Sequence, residues 1–169
     1  LAILPLATAL SAGNRAMIKM SEFTPATNKV LQKMLSDVFN ESQVALIEGE
    51  VEVSSAFAEL PWDHLIFTGS TAVGKIVMSA AAKNLTPVTL ELGGKSPAII
   101  APGASMEDAV ERICFGKSLN AGQTCIAPDY ILLPEGQEQT FIDTYQKTFA
   151  RMYPSLRDNS DYTAIVNQR

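Results

Sequence analysis

Cys125 and Glu91 are the two side chains in this sequence whose types and settings suit covalent chemistry. Cys125 closes Asn120-Ala121-Gly122-Gln123-Thr124-Cys125, a small, polar, glycine-bearing stretch that gives an apolar thiol little to pack against. Exposed, reactive thiols favour such loops. Glu91 ends the alternating run Val88-Thr89-Leu90-Glu91, 34 residues earlier. A cysteine nucleophile ordinarily takes its base from histidine. Here the only histidine, His64, falls in an ordinary strand-like run. A carboxylate is therefore the better candidate helper, and few reaction types combine the two.

Each residue also has a plainer reading. By spacing alone, Glu91 is a solvated strand residue, since Val88, Leu90 and Leu92 point one way and Thr89 and Glu91 the other. Gly93-Gly94 weakens that account, because paired glycines permit unusual turns and close backbone approach. A carboxylate at a strand's carboxyl end also lies where open α/β sheets bind ligands. On residues alone, Cys125 reads equally as functional or structural. Cys114 shares a helical face with Val110 and Ile113 and reads as a packed core thiol.

A third motif concerns phosphate. Gly69-Ser70-Thr71-Ala72-Val73-Gly74-Lys75 follows a strand and opens a helix, the context in which backbone N–H groups bind anions. It matches G-x-x-x-x-G-K, but Ile76 stands where a P-loop needs a hydroxyl for Mg²⁺. It fails G-x-G-x-x-G as well, because Thr71 replaces the second glycine. A phosphate-facing turn is favoured over a purely structural one, and a P-loop-like nucleotide-binding module stays as an alternative.

The elements around these residues alternate. Ile3–Leu10 reads as the tail of a helix and Ala16–Met20 as a short strand. Thr24-Pro25 supplies a capping hydroxyl and a proline for the first helical position. Behind it, Val30, Leu31, Met34, Leu35, Val38 and Phe39 recur at helical spacing. Strands follow at Val44–Ile47, His64–Thr68, Pro87–Leu92, Ala98–Ile100 and Tyr130–Leu133. Helices are expected over Val51–Leu60, Ala72–Leu85, from Ser105 onward and over Glu138–Met152. Phe141, Tyr145, Phe149 and Met152 should share one face of the last. This order predicts an α/β protein, a parallel Rossmann-type sheet with helices on both faces.

Bulk properties narrow the function. With 47% hydrophobic and 18% charged residues the chain is globular. A net charge of −5 without a basic cluster argues against a nucleic-acid partner. No apolar run approaches the roughly 20 residues that span a bilayer. Two cysteines and one histidine make neither a metal set nor a disulfide framework, so a reduced, cytoplasmic setting is expected. The sequence begins and stops in mid-pattern and reads as a fragment of a longer protein.

Four blocks together resemble the NAD(P)-dependent aldehyde dehydrogenases. They are Ala12–Glu22, Phe67–Lys75, Leu90–Pro97 and Gly122–Cys125, in that family's order and spacing. Leu85–Glu91 and Gln123–Tyr130 look more like the class 3 and coniferyl aldehyde branch, and the Tyr153–Asn167 tail leans toward the latter. The resemblance implies oxidation of an aldehyde, coniferyl or a similar aromatic one, with an aliphatic or fatty aldehyde as the alternative. Cys125 would be the catalytic nucleophile and Glu91 the base that hydrolyses the thioester. Lys19, Glu22, Gly69, Ser70, Gly74 and Leu92 would belong to the cofactor site, for NAD, with NADP as the alternative. Residues 1–95 would form part of the NAD(P)-binding domain and 96–169 the start of a second α/β catalytic domain. No metal is implied, and the full-length protein would be a homodimer. A catalytically inert relative of these enzymes is the other alternative. Met20 departs from the family's usual proline after Lys19. The family's oxyanion-hole asparagine and nicotinamide-ribose glutamate fall outside the sequence, so the fragment alone is expected to be inactive.

Overall fold

The computed structural model describes residues 1–167. The chain divides into two compact units, Leu1–Leu92 and 93–169, each described by itself.

The first unit alternates without exception: α1 (Ile3–Ser11), β1 (Ala16–Lys19), α2 (Pro25–Ser36), β2 (Val44–Ile47), α3 (Val51–Ala58), β3 (Leu65–Thr68), α4 (Thr71–Ala82) and β4 (Val88–Glu91). Strands β1 and β2 pair in parallel, with Lys19 opposite Ile47, and β3 and β4 do the same, with Thr68 opposite Glu91. The expected parallel α/β pattern is present, its strands pairing two by two among the described residues. Each pair has its own small core. Leu6, Leu35 and Val44 anchor the first, and Ala58, Leu65 and Ala81 the second.

Helix α2 departs from its expected face. Leu35 is buried, with Leu31 and Phe39 packed against the same cluster, a single i, i+4, i+8 stripe. Val30, Met34 and Val38, the parallel stripe, are exposed. The periodicity was right for a helix, but only one stripe of it meets β2. Pro25 takes the first helical position as expected. The Thr24 hydroxyl, however, does not accept a backbone N–H; it donates to Asn28 Oδ1 at 3.1 Å. Asn28, itself buried, donates through Nδ2 to the Ser21 carbonyl at 2.8 Å, so the helix start is secured by a side-chain amide.

Helix α4 lies against β3 and β4. Ser70 caps it by accepting from the Val73 N–H at 3.3 Å. A Cβ on Gly74 would meet Leu92 Cδ2 at 2.8 Å, so glycine lets this turn of helix lie against Leu92 without displacing its side chain. The helix stops at Ala82, short of the expected Leu85. Thr86 N–H donates to the Ala81 carbonyl at 3.1 Å and Leu85 takes φ 54°, the geometry of a Schellman ending. Leu85 is 89% exposed, so its side chain gains nothing from this position. The left-handed region costs an L-residue roughly 1–2 kcal/mol, and glycine's extra unfolded freedom returns about 0.5–1 kcal/mol of any relief. Leu85→Gly is thus expected to stabilise the full-length protein by about 0.5–1 kcal/mol, read as a higher denaturant midpoint with an unchanged slope.

The second unit runs β5 (Ser96–Ile99), α5 (Met106–Ser118), a 3₁₀ turn (Leu119–Gly122), β6 (Pro128–Leu132) and α6 (Glu138–Met152). Strands β5 and β6 are parallel, with a bulge between Ser96 and Pro97. Ser105 caps α5 by accepting from the Asp108 N–H at 3.2 Å, and Glu107 and Asp108 place negative charge in its first turn. Val110 and Cys114 on α5 are fully buried. Along α6, Phe141, Tyr145 and Phe149 follow one another ring to ring as expected, and Tyr153 continues the ladder beyond the helix end. Among the described residues no helix is long and apolar enough to cross a membrane.

Candidate active site

Cys125 sits at the corner of a tight turn. The Ala127 N–H donates to the Thr124 carbonyl at 3.2 Å, which leaves Cys125 and Ile126 exposed at the tip. The turn is crowded from behind. A Cβ on Gly94 would collide with the Cys125 carbonyl oxygen, so the expected close approach at the glycine pair is made by Gly94 against the Cys125 backbone. Ser96 Oγ reaches the same carbonyl at 3.5 Å. Immediately upstream, Asn120, Ala121 and Gly122 take φ values of 52°, 53° and 76°. Asparagine and glycine tolerate this region, but Ala121 does not, and a left-handed alanine costs roughly 1–2 kcal/mol. Such strain persists only where surroundings hold it, and it clusters at functional sites. Asn120 and Gln123 hold it here. The Gln123 N–H donates to the Asn120 carbonyl at 3.0 Å, and Asn120 Nδ2 donates to the Gln123 carbonyl at 3.2 Å.

The two thiols differ as expected. Cys114 is buried against α6, and burial pushes its thiol above the ordinary range, partly opposed by the hydroxyls of Ser118 and Tyr145. Burial first, and then the Cys114 thiol, push the Tyr145 phenol up to about 12. Both groups therefore hold their protons in the folded state at pH values where the unfolded chain has lost them. Stability from this pair is fully present below about pH 9 and falls as pH rises toward about 12. Denaturant titrations of the full-length protein across that window should show the loss, and Tyr145→Phe should flatten it.

Most candidate residues of the first unit lie at or just after the carboxyl end of a parallel strand, and Gly74 lies within α4. Lys19 ends β1, and its ammonium pairs with Glu22 Oε2 at 3.2 Å, with the Lys19 side chain only 11% exposed. Gly69 and Ser70 follow β3. The Gly69 N–H donates to the Glu91 carbonyl at 3.0 Å and so extends the β3–β4 ladder, while the Ser70 hydroxyl is engaged as the α4 cap. Glu91 ends β4 with its side chain exposed, and Val88 and Leu90 are half-buried on the opposite face. Gly74 and Leu92 meet each other where α4 crosses the end of β4. Lys75 lines a shallow groove with Glu59, Ser79 and Lys83 that runs on down α4, which gives no support to a P-loop lysine. His64 is bonded to Thr89 at 2.9 Å. Among the described residues no cluster of histidine, cysteine or carboxylates could hold a metal ion.

Sequence reasoning passed over Gln123. Its side chain reaches Ala164 and Val166 in the tail, partners more than 40 residues away. Only the asparagine and glycine flanking Ala121, both tolerant of left-handed backbone, signalled an unusual turn there.

Helix-linked parallel strand pairs define an α/β protein, with several candidate side chains at the strand ends where such sheets bind ligands. The chain belongs to the aldehyde dehydrogenase family, whose model matches residues 1–169. It is 60% identical, over 100% of its length, to a Pseudomonas aeruginosa protein named "Probable coniferyl aldehyde dehydrogenase" and covers 36% of that relative. Among solved structures, substrate-bound Staphylococcus aureus AldH matches 96% of the chain with a TM-score of 0.90 and 46% identity, and 36% of that protein is covered. The Mycobacterium tuberculosis aldehyde dehydrogenase complexed with NAD+ matches 84% of the chain at a TM-score of 0.77 and 34% identity, with 30% of it covered. The chain thus spans about a third of the length of the curated relatives it matches.

Proposed function

We propose that this chain carries the nucleophile, the hydrolytic base and part of the dinucleotide site of an enzyme that oxidises an aromatic aldehyde of the coniferyl type to its acid. The observation that carries the reading is an exposed cysteine just after a braced, left-handed turn, in a chain matched along its whole length by the aldehyde dehydrogenase family. In this reading residues 1–95 serve the cofactor and 96–169 the chemistry.

The Cys125 thiolate adds to the aldehyde carbon and makes a hemithioacetal oxyanion. Backbone donors, the Cys125 N–H among them, hold that charge. A bound nicotinamide supplies one thing only, an acceptor for the hydride and its electron pair. The adduct is left as a thioester on Cys125. Glu91 takes a proton from water, the hydroxide adds to the thioester carbon, and the thiolate departs as the acid is released. The residues present suit a dinucleotide. The Lys19–Glu22 pair offers a donor and an acceptor to ribose hydroxyls, and the start of α4 offers a helix N-terminus to the pyrophosphate. A carboxylate at Glu22 favours a free 2′-hydroxyl over a 2′-phosphate, and so NAD over NADP. Cytoplasmic location and a homodimer belong to the same reading.

Differential thiol labelling tests it. In the full-length protein, iodoacetamide should modify Cys125 far faster than Cys114, and prior exposure to aldehyde should protect Cys125 alone. Equal, slow labelling of both would overturn the assignment.

A further inference from the structure

We propose that Gln123 is a positioning residue for Cys125, a role that rests on the reading of Cys125 as the nucleophile. Its side-chain amide is used at both ends. Nε2 donates to the Asn120 carbonyl at 2.9 Å and to the Ala164 carbonyl at 3.2 Å, and Oε1 accepts from the Val166 N–H at 2.9 Å. The amide thereby reads the N–H and C=O of two tail residues as a neighbouring strand would, while gripping the first residue of the left-handed turn. Only glutamine fits this set. A carboxylate would set its oxygens against two carbonyl oxygens, and alanine would leave all three groups without the amide.

The tail has its own anchorage. Tyr162 meets Phe149 and Tyr153 edge to face, at centroid separations of 6.2 and 4.9 Å. Asn159 folds the approach, donating to the Ser155 carbonyl at 2.6 Å and accepting from the Asp161 N–H at 2.9 Å. Residues 164–166 are therefore fixed to α6 through the aromatic ladder, and Gln123 passes that fixed position to the turn. Two residues further on is Cys125, whose carbonyl rests against Gly94. Gln123 touches no reacting atom. Its work is to hold strained backbone so that the thiol keeps one place and direction.

The test uses the full-length protein with Gln123→Glu, with Val166→Pro, which removes a single N–H from the set, and with both changes. For each, coniferyl aldehyde oxidation is followed alongside the pH profile of Cys125 alkylation by iodoacetamide, with Cys114 as internal reference. Displacement of a reacting group by about 1 Å costs on the order of 10²-fold. Gln123→Glu is expected to lower kcat by about that factor with little change in KM, and to slow and shift the alkylation profile. Val166→Pro should give the same pattern more weakly, and the double variant should be no worse than Gln123→Glu alone. A glutamine that merely ties down the tail would lower the melting temperature and leave kcat and the alkylation profile as in the parent, which overturns the proposal. If Gln123→Glu does not fold, folded Val166→Pro with the parent's kcat and profile overturns it equally. Activity surviving in Cys125→Ala would instead sink the nucleophile reading beneath it.

Discussion

Full-length protein carrying Cys125→Ala is expected to lose at least about 10³-fold in NAD(P)H formation from coniferyl aldehyde, the scale seen when a covalent nucleophile is removed. Among the described residues, neither Cys114 nor His64 is available to take over. Cys114 is buried, and burial holds its thiol protonated, the unreactive form. His64 is already bonded to Thr89. Folding should be unaffected, because the Cys125 side chain is exposed and the turn is closed by backbone groups. The melting temperature and the change in intrinsic fluorescence on adding NAD should match the parent. Cys125→Ser is the sharper companion. It keeps a nucleophilic atom in place but presents a hydroxyl that stays protonated at neutral pH, so it too should be inactive without an adjacent base. Residual turnover near the parent rate in Cys125→Ala would end the covalent mechanism.

What could be read before any fold was known follows from how local the causes are. The α/β alternation is a matter of period and punctuation, and the elements appear in the expected order. Ser105 and Pro25 act within one turn of where they stand, so their roles were legible. Thr24 was misjudged because Asn28, one turn on, competes for its hydroxyl. The exposed stripe of Val30, Met34 and Val38 was not legible, since periodicity records that a face is apolar and says nothing of what covers it. Near Cys125, the glycine pair announced close approach, but its partner, the Cys125 carbonyl, came only with the fold. Gln123 was silent for the same reason. Its tail partners are 41 and 43 residues distant, and no local pattern marks an amide that will bond two carbonyls and an N–H from separate segments.

Glu91→Gln should separate the two halves of the reaction. If Glu91 acts after the hydride has left, the variant will still release one equivalent of NAD(P)H per active site in a rapid first turnover. It will then slow by about 10²–10⁴-fold, the usual contribution of a general base. The substitution suits the site. The glutamate side chain is exposed at the end of β4, and the ladder bond from Gly69 goes to its backbone carbonyl, which glutamine keeps. Quenched-flow sampling should find the protein acylated at Cys125 during the slow phase, and added hydroxylamine should restore turnover by attacking the thioester directly. Cys125→Ala gives no burst at all, so the two variants place the residues on opposite sides of hydride transfer. Loss of the burst in Glu91→Gln would move the carboxylate to the first half, as the base that makes the thiolate. Unchanged steady-state turnover would return Glu91 to the solvated strand residue that its spacing alone describes.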